Sequence, residues 1–196
     1  AIAMIVTIVI GRLIQTRWET DWLVFASELV VGVTIVVAGW IGCRERPESR
    51  VGLLIMIAGL LHLVRGLGST AWAPLFTLSF LIGENYLNVL AHALITFPSG
   101  RIRNWQERWL VIGVYTLGTL GFVVVGLFNA LPGCDCPRNL ALIADSPATV
   151  DLLDSTITFL SVLLAAAFVA YAVSKYRRAT PAGRRALAPV FAVGAL

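Results

Sequence analysis

Five apolar runs, each longer than 17 residues and separated by short loops, constrain this chain more than any other feature. They cover residues 22–43, 51–68, 74–98, 109–131 and about 151–174. A helix needs about 20 apolar residues to cross a bilayer, and a chain in lipid must satisfy its backbone amides within each segment. The sequence therefore predicts an all-α fold, a polytopic transmembrane helix bundle with five full spans.

The composition supports this class and extends it to the ends of the chain. Hydrophobic residues make up 58% of the sequence and charged residues 13%. A soluble domain has about 25% charged residues, so a water-soluble enzyme domain is excluded, and disorder would require low hydrophobicity. Two shorter apolar runs, 1–11 and 189–196, are expected to be truncated spans. We expect residues 1–196 to form a single transmembrane domain, truncated at both ends, of a longer protein.

The distribution of basic residues predicts the orientation. Of the 15 Lys and Arg residues, 11 lie in one set of alternate loops, and basic residues near span ends stay cytoplasmic. Loops 43–50, 99–108 and 175–188 are therefore predicted to be cytoplasmic, with the lipid bilayer as the surrounding partner. The net charge of +4 then reflects membrane anchoring. Nucleic-acid binding is not expected, because the basic residues fall in short separate loops that also carry acids.

Two local signals predict helix starts. Ser146 followed by Pro147 is typical of an N-cap with proline at the first helical position. Asn104, followed by Glu107 three residues later, resembles a capping box at the inner surface. Trp105 and Trp109 follow as predicted interfacial anchors.

The third apolar run carries the densest polar content at membrane depth. Glu84, Asn88 and His92 are spaced four residues apart, so they are predicted to share one helix face. Asn85 adds a further amide beside them. An ionised carboxylate near the bilayer centre costs roughly 2.5–3.5 kcal/mol. Glu84 is therefore expected to have a partner, a proton or water.

Depth counted from the segment ends suggests the partners. It predicts two polar layers, His62 with Glu84 near the centre and Arg65 with Glu28 nearer the outer surface. Three interpretations stay open: hydrogen bonds that hold the helices together, a ligand-binding or proton-sensing site, or an ion or substrate pathway. The candidate intramembrane residues are Glu28, His62, Arg65, Glu84, Asn85, Asn88 and His92.

Cofactor and catalytic sites are not predicted in this chain. His62 and His92 lie at different depths, so they are not expected to clamp one haem. Cys134 and Cys136 are candidate redox residues in an outer loop; a redox pair, a soft-metal site with Asp135 and plain turn residues all stay open. No metal site is predicted, since these ligands are too few for closed zinc coordination. No nucleotide-binding, metalloprotease or serine-hydrolase motif occurs, so no catalytic residue is predicted.

Four stretches together carry a family resemblance. They are CRERPESRVGLLIMIAGL (43–60), NVLAHALITFPSGRIRNWQERWLV (88–111), CDCPRNLALIADSPATVDLLD (134–154) and KYRRATPAGRRALAPVF (175–191). They resemble the N-terminal multi-spanning sensor region of actinobacterial-type sensor histidine kinases. The similarity covers most of the chain after about residue 38, and AHALITFPSGRIR is its most distinctive part.

The resemblance implies a function in signalling at a bacterial plasma membrane. This part is then a non-catalytic sensory input domain that relays an envelope or membrane signal to a cytoplasmic autokinase of a two-component system. It implies a homodimer, a response regulator as partner, and ATP and Mg only in the kinase domain that this fragment lacks. The alternative is a transporter-like or channel-like membrane protein, or a membrane module attached to another output. The stimulus stays open among lipid state, an apolar ligand, pH and redox state.

Overall fold

The computed structural model describes residues 22–69, 72–131, 136–178 and residue 180, and this part of the chain is helical without a strand. The side chains of residues 22–25 and 69 are not included. The helices, with a short 3-10 turn at Gly66–Ser69, are α1 (Trp22–Glu45), α2 (Val51–Arg65), α3 (Ala73–Ile82), α4 (Asn85–Thr96), α5 (Trp105–Tyr115), α6 (Phe122–Phe128) and α7 (Pro147–Arg178).

The described residues confirm the predicted all-α class and include five helical segments that are long and apolar enough to cross a membrane, the number of full spans predicted. They are Ala26–Glu45, Val51–Gly68, Ala73–Thr96, Trp105–Phe128 and Pro147–Arg178. The third contains α3 and α4, and the fourth contains α5 and α6. The apolar runs 1–11 and 189–196, predicted to be truncated spans, lie outside the described residues.

Glycines allow α1 and α2 to pack with their backbones almost in contact. A Cβ atom on Gly52 would lie 2.5 Å from the Cys43 backbone nitrogen and 2.7 Å from the Gly42 carbonyl carbon. On the same helix, a Cβ atom on Gly59 would lie 2.7 Å from the backbone nitrogen of Val36. Small residues let membrane helices approach in this way when lipid provides no hydrophobic driving force between them.

Hydrogen bonds between two loops hold the start of α2 and the end of α4 at the same height at one end of the bundle. The Arg50 backbone N–H donates to the Ser99 carbonyl (2.9 Å), and the Ser49 hydroxyl donates to the Pro98 carbonyl (2.8 Å). We call the end that carries loops 46–50 and 97–104 the basic end. Because α2 starts and α4 finishes there, positions on the two helices correspond when counted from the basic end.

Two of the five segments depart from regular α-helix. The third is interrupted at residues 83–84, between α3 and α4. The fourth contains a π-helical turn, Thr116–Gly121, between α5 and α6. Wide π turns inside helices are often found at functional sites, and both irregularities lie beside the polar residues that the sequence analysis singled out.

The last helix, α7, is the longest and has no buried residue. It begins at Pro147, which confirms the predicted start, and the Val150 N–H donates to the Ser146 carbonyl (3.0 Å). The helix rests on a small core cluster of Ile95, Leu110 and Val111, which it contacts through Leu164, Phe168 and Tyr171. α7 therefore packs against the fourth span without burying any of its own residues.

Candidate functional site

A charged triad joins three helices within the spanning region. Arg65, at the end of α2, donates from Nε to Glu84 Oε1 (2.6 Å) and from a terminal nitrogen to Glu28 Oε1 on α1 (2.9 Å). The Ser79 hydroxyl on α3 donates to the Arg65 carbonyl (2.7 Å). A Cβ atom on Gly83 would lie 2.8 Å from the Arg65 Cα atom, so glycine is needed for this close approach.

The structure confirms one predicted pair and corrects the other. Arg65 pairs with Glu28, as expected, but Glu84 also pairs with Arg65, and His62 is not its partner. The depth estimate for Glu84 failed because it was counted from the outer end of the third span. Counted from the basic end, Arg65 lies fourteen positions after Val51 and Glu84 lies fourteen positions before Pro98. At 1.5 Å per residue, both are roughly 21 Å from that end.

The triad has two carboxylates for one guanidinium. Its side chains are 38% (Arg65), 31% (Glu28) and 38% (Glu84) exposed, so the three groups are neither fully buried nor fully open. With every group ionised, the triad carries one net negative charge in a region where isolated charges are costly. No group of three metal-ligating side chains occurs among the described residues. Chemically, the triad can hold helices together and respond to charge or polarity nearby.

His62 is buried one helical turn from the triad. Its side chain is only 8% exposed, and both ring nitrogens are without a hydrogen-bond partner. The ring packs edge-on against Tyr86, with 4.9 Å between the ring centroids. A buried polar group without a partner destabilises a fold by about 1–3 kcal/mol, so His62 is a polar side chain that the packing alone does not explain.

We expect His62→Leu to raise the free energy of unfolding by about 1 kcal/mol, because the substitution removes an unpartnered polar group from an apolar site. Denaturation of the purified protein in detergent micelles measures the change. His92→Leu is the matched control: it should lower stability, since His92 Nδ1 shares a hydrogen bond with the Tyr115 hydroxyl (3.3 Å). A loss of stability in both variants would mean that His62 makes a stabilising contact.

An amide cluster connects α4 to the π turn of the fourth span. Asn88 donates to Asn85 Oδ1 (3.1 Å) and to Thr119 Oγ1 (3.3 Å), and Thr119 donates to Asn85 Oδ1. Asn85 in turn donates to the Ile82 carbonyl (3.1 Å), at the interruption between α3 and α4. The cluster is internally satisfied and ties the interruption to the fourth span. Thr119 was not singled out in the sequence, although it is a hydroxyl within an apolar run.

The polar residues predicted to share one face of the third span bind to two different neighbouring segments. Glu84 precedes α4 and pairs with Arg65 on α2, whereas Asn88 bonds to Thr119 and His92 to Tyr115 in the fourth span. Glu84 is the N-cap residue of α4, and its partner lies on a different helix from the partners of Asn88 and His92. The functional role of these residues stays a prediction.

A second charged cluster, which the sequence analysis did not predict, lies at the basic end. Glu107 is 3% exposed and accepts hydrogen bonds from the Tyr171 hydroxyl (2.5 Å), Lys175 Nζ (3.2 Å) and the Arg103 backbone N–H (2.7 Å). Lys175 also donates to the carbonyl of Ile95 in the last turn of α4 (2.7 Å). The cluster therefore joins the basic ends of α4, α5 and α7.

The predicted capping box was the sequence signal closest to this cluster. Asn104 does cap α5, since its side chain accepts from the Glu107 N–H (2.8 Å). The return bond differs from a capping box, because the Glu107 carboxylate binds the Arg103 N–H instead of that of Asn104. Its other oxygen is then available to the two side chains of α7. The contact with α7 is tertiary, and no local spacing reveals it.

The loop between α6 and α7 carries the predicted redox residues in the sequence. Cys136 is disulfide-bonded, while Cys43 is a free thiol; Cys134 lies outside the described residues. The loop is anchored to the bundle by Asn139, which donates to the Gly126 carbonyl (2.7 Å). The Leu140 N–H donates to the Thr77 hydroxyl (3.0 Å). A redox role for Cys134 and Cys136 stays a prediction.

No protein-family model matches the chain, and no curated protein or solved structure is significantly similar to it.

Proposed function

We propose that this chain is the membrane-embedded sensory domain of a sensor histidine kinase. In this proposal it relays a signal from the envelope or the membrane to a cytoplasmic autokinase, which phosphorylates a response regulator. The resemblance of the four sequence stretches suggests the family. The helical bundle and the absence of catalytic motifs are compatible with a non-catalytic input domain.

The observation that carries the proposal is Arg65, which binds carboxylates on two other helical segments at once. A guanidinium that bridges Glu28 and Glu84 fixes the relative positions of three helices. A stimulus that favours one carboxylate over the other would shift those helices, and such a shift requires unequal binding of the two arrangements. The triad is about one-third exposed, so a stimulus has access to it.

The attachment of α7 suits a helix that transmits a signal. The Lys175–Glu107 ion pair joins α7 to the bundle at the basic end, and none of the residues of α7 is buried. Motion of α4 or α5 at this cluster would therefore pass directly to α7. The chain leaves α7 at the basic end, which in the proposed orientation is the cytoplasmic side where a kinase has access to ATP and Mg.

Two tests address the proposal. The first is to read the gene beyond Leu196, where we expect a further span, a helix with the phosphoacceptor histidine and glycine-rich ATP-binding motifs. The second uses the full-length protein in lipid vesicles and measures autophosphorylation. Arg65→Gln and Glu84→Gln should each change the rate by at least about fivefold, the lower range of allosteric coupling. Glu45→Gln, at an exposed position on α1, is the control and should leave the rate unchanged.

Thermal denaturation of the same variants separates signalling from simple helix contact. Lower stability with an unchanged autophosphorylation rate would contradict the proposal and leave the triad as a structural contact. The interruption of the third span also favours a second candidate, since discontinuous helices form substrate sites in transporters. Flux in vesicles that depends on Glu84, with no kinase encoded downstream, would support a transporter instead.

A further inference from the structure

Five arginines lie at the basic end of the bundle, one in the last turn of α1 and four on the two loops. We define the inner arginine cluster as Arg44, Arg46, Arg50, Arg101 and Arg103. All five are exposed, and none of them forms an ion pair within the described part of the chain. Two exposed acidic residues lie beside them, Glu45 at the end of α1 and Glu48 on the first loop, so the surface has a clear excess of positive charge.

The two loops that carry the cluster are held together by backbone contacts. The hydrogen bonds from Arg50 to Ser99 (2.9 Å) and from Ser49 to Pro98 (2.8 Å) link them directly. Gly100 has φ +67°, and a Cβ atom there would lie 2.5 Å from the Val51 nitrogen, so this backbone approach requires glycine. The arginines are therefore presented from one ordered unit.

Exposed tryptophans flank the cluster. The Arg44 guanidinium lies over the Trp40 ring, 4.4 Å from its centroid, and Trp40 is 47% exposed. Trp105 and Trp109 are 69% and 60% exposed on the first turns of α5, directly after Arg103. Tryptophan is enriched at the level of lipid headgroups. The flanking rings indicate that the cluster lies at headgroup level instead of projecting into the aqueous phase.

We propose that the inner arginine cluster is a binding surface for anionic phospholipid headgroups. Guanidinium groups bind phosphate oxygens through paired hydrogen bonds, and juxtamembrane clusters of basic residues attract anionic lipid. Charge complementarity selects an anionic partner, and the surrounding tryptophans favour a lipid over an acidic protein. This inference is independent of the proposed kinase function, since it requires only that the bundle is in a membrane.

Quenching of tryptophan fluorescence by brominated lipids tests the proposal. The protein is reconstituted in mixtures of phosphatidylglycerol and phosphatidylcholine, with one of the two lipids brominated in each sample. The bromine atoms quench neighbouring tryptophans such as Trp105. We expect phosphatidylglycerol to bind at least about fivefold more tightly, which corresponds to the attraction of one basic residue for anionic lipid. The preference should decrease at high salt, where exposed charges are screened.

Substitutions locate the effect. The triple variant Arg46→Gln, Arg101→Gln, Arg103→Gln should lose the preference, while a matched control, Arg108→Gln, Arg138→Gln, Arg178→Gln, removes the same charge elsewhere and should keep it. Equal binding of the two lipids by the unmodified protein would overturn the proposal, as would a preference that survives in the cluster variant. Binding of a soluble acidic polypeptide without any lipid preference would also overturn it and identify a protein partner. The salt dependence of the unmodified protein tests the charge argument even if the triple variant does not fold.

Discussion

Replacing Lys175 with methionine should lower the free energy of unfolding by about 3–5 kcal/mol, because it leaves a buried carboxylate without its cation. The side chain of Glu107 is 4% exposed, and that of Lys175 is 21% exposed. The substitution also removes the hydrogen bond from Lys175 to the Ile95 carbonyl (2.7 Å), which satisfies a group in the last turn of α4. Denaturation in detergent micelles, followed by circular dichroism, measures the loss.

The double variant Glu107→Gln, Lys175→Met should recover most of that stability. A glutamine is neutral, and its carbonyl oxygen retains an acceptor for the Tyr171 hydroxyl or the Arg103 N–H. Arg178→Met is the matched control, because it removes an exposed cation from the same helix and should have little effect. If Lys175→Met and Arg178→Met were equally mild, Lys175 would not balance the Glu107 charge.

Gly52→Ala should be one of the most harmful single methyl additions among the glycines of α1 and α2. Alanine ordinarily stabilises a helix by about 1 kcal/mol relative to glycine, but here its Cβ atom would lie 2.5 Å from the Cys43 nitrogen. Backbone atoms cannot rotate away as a side chain can, so the two helices must separate. We expect a loss of about 1–3 kcal/mol, typical of overpacking, measured as the free energy of unfolding in micelles.

Gly113→Ala provides the comparison for that substitution. The atom nearest to its Cβ would be the Leu164 Cδ1 atom at 3.0 Å, at the end of a side chain that can move. Leu164 also belongs to α7, which has no buried residue. Gly113→Ala should therefore be close to neutral. Equal effects of the two substitutions would indicate that α1 and α2 separate without loss of stability.

The spanning architecture could be predicted because lipid allows few alternatives. Apolar runs of this length in a membrane must be helices, and the five runs match the five spanning segments of the structure. The Arg65–Glu28 pair was also predictable, since a cation and an acid at similar depth on neighbouring helices have few other partners. The partner of Glu84 was not predictable from the distance between Glu84 and the outer end of its span. The second and third spans start at the same height only at the basic end, so only distances counted from that end can be compared.

The remaining features depend on contacts between distant segments. The glycines that bring α1 and α2 together recur seven residues apart, Gly32 with Gly39 and Gly52 with Gly59. This spacing places each pair on one helix face, but it differs from the four-residue spacing of small residues that is typical of close helix packing in membranes. The role of Glu107 shows a different limit: its N-terminal position on α5 was predicted, whereas its burial arises from Lys175, which is 68 residues further along the chain.

The common level of α2 and α4 at the basic end has a consequence for the thickness of the surrounding bilayer. The second span has 18 residues and the third has 24, which correspond to roughly 27 and 36 Å at 1.5 Å per residue. The mismatch of about 9 Å therefore falls entirely in the opposite leaflet, on the side where α2 ends at Arg65. With these segments placed in a bilayer, lipid next to α2 would thin there, and headgroups and water would come closer to the guanidinium. The charged triad would then lie beneath a local depression of the membrane surface, which would lower the penalty of placing ionised groups so far along the third span.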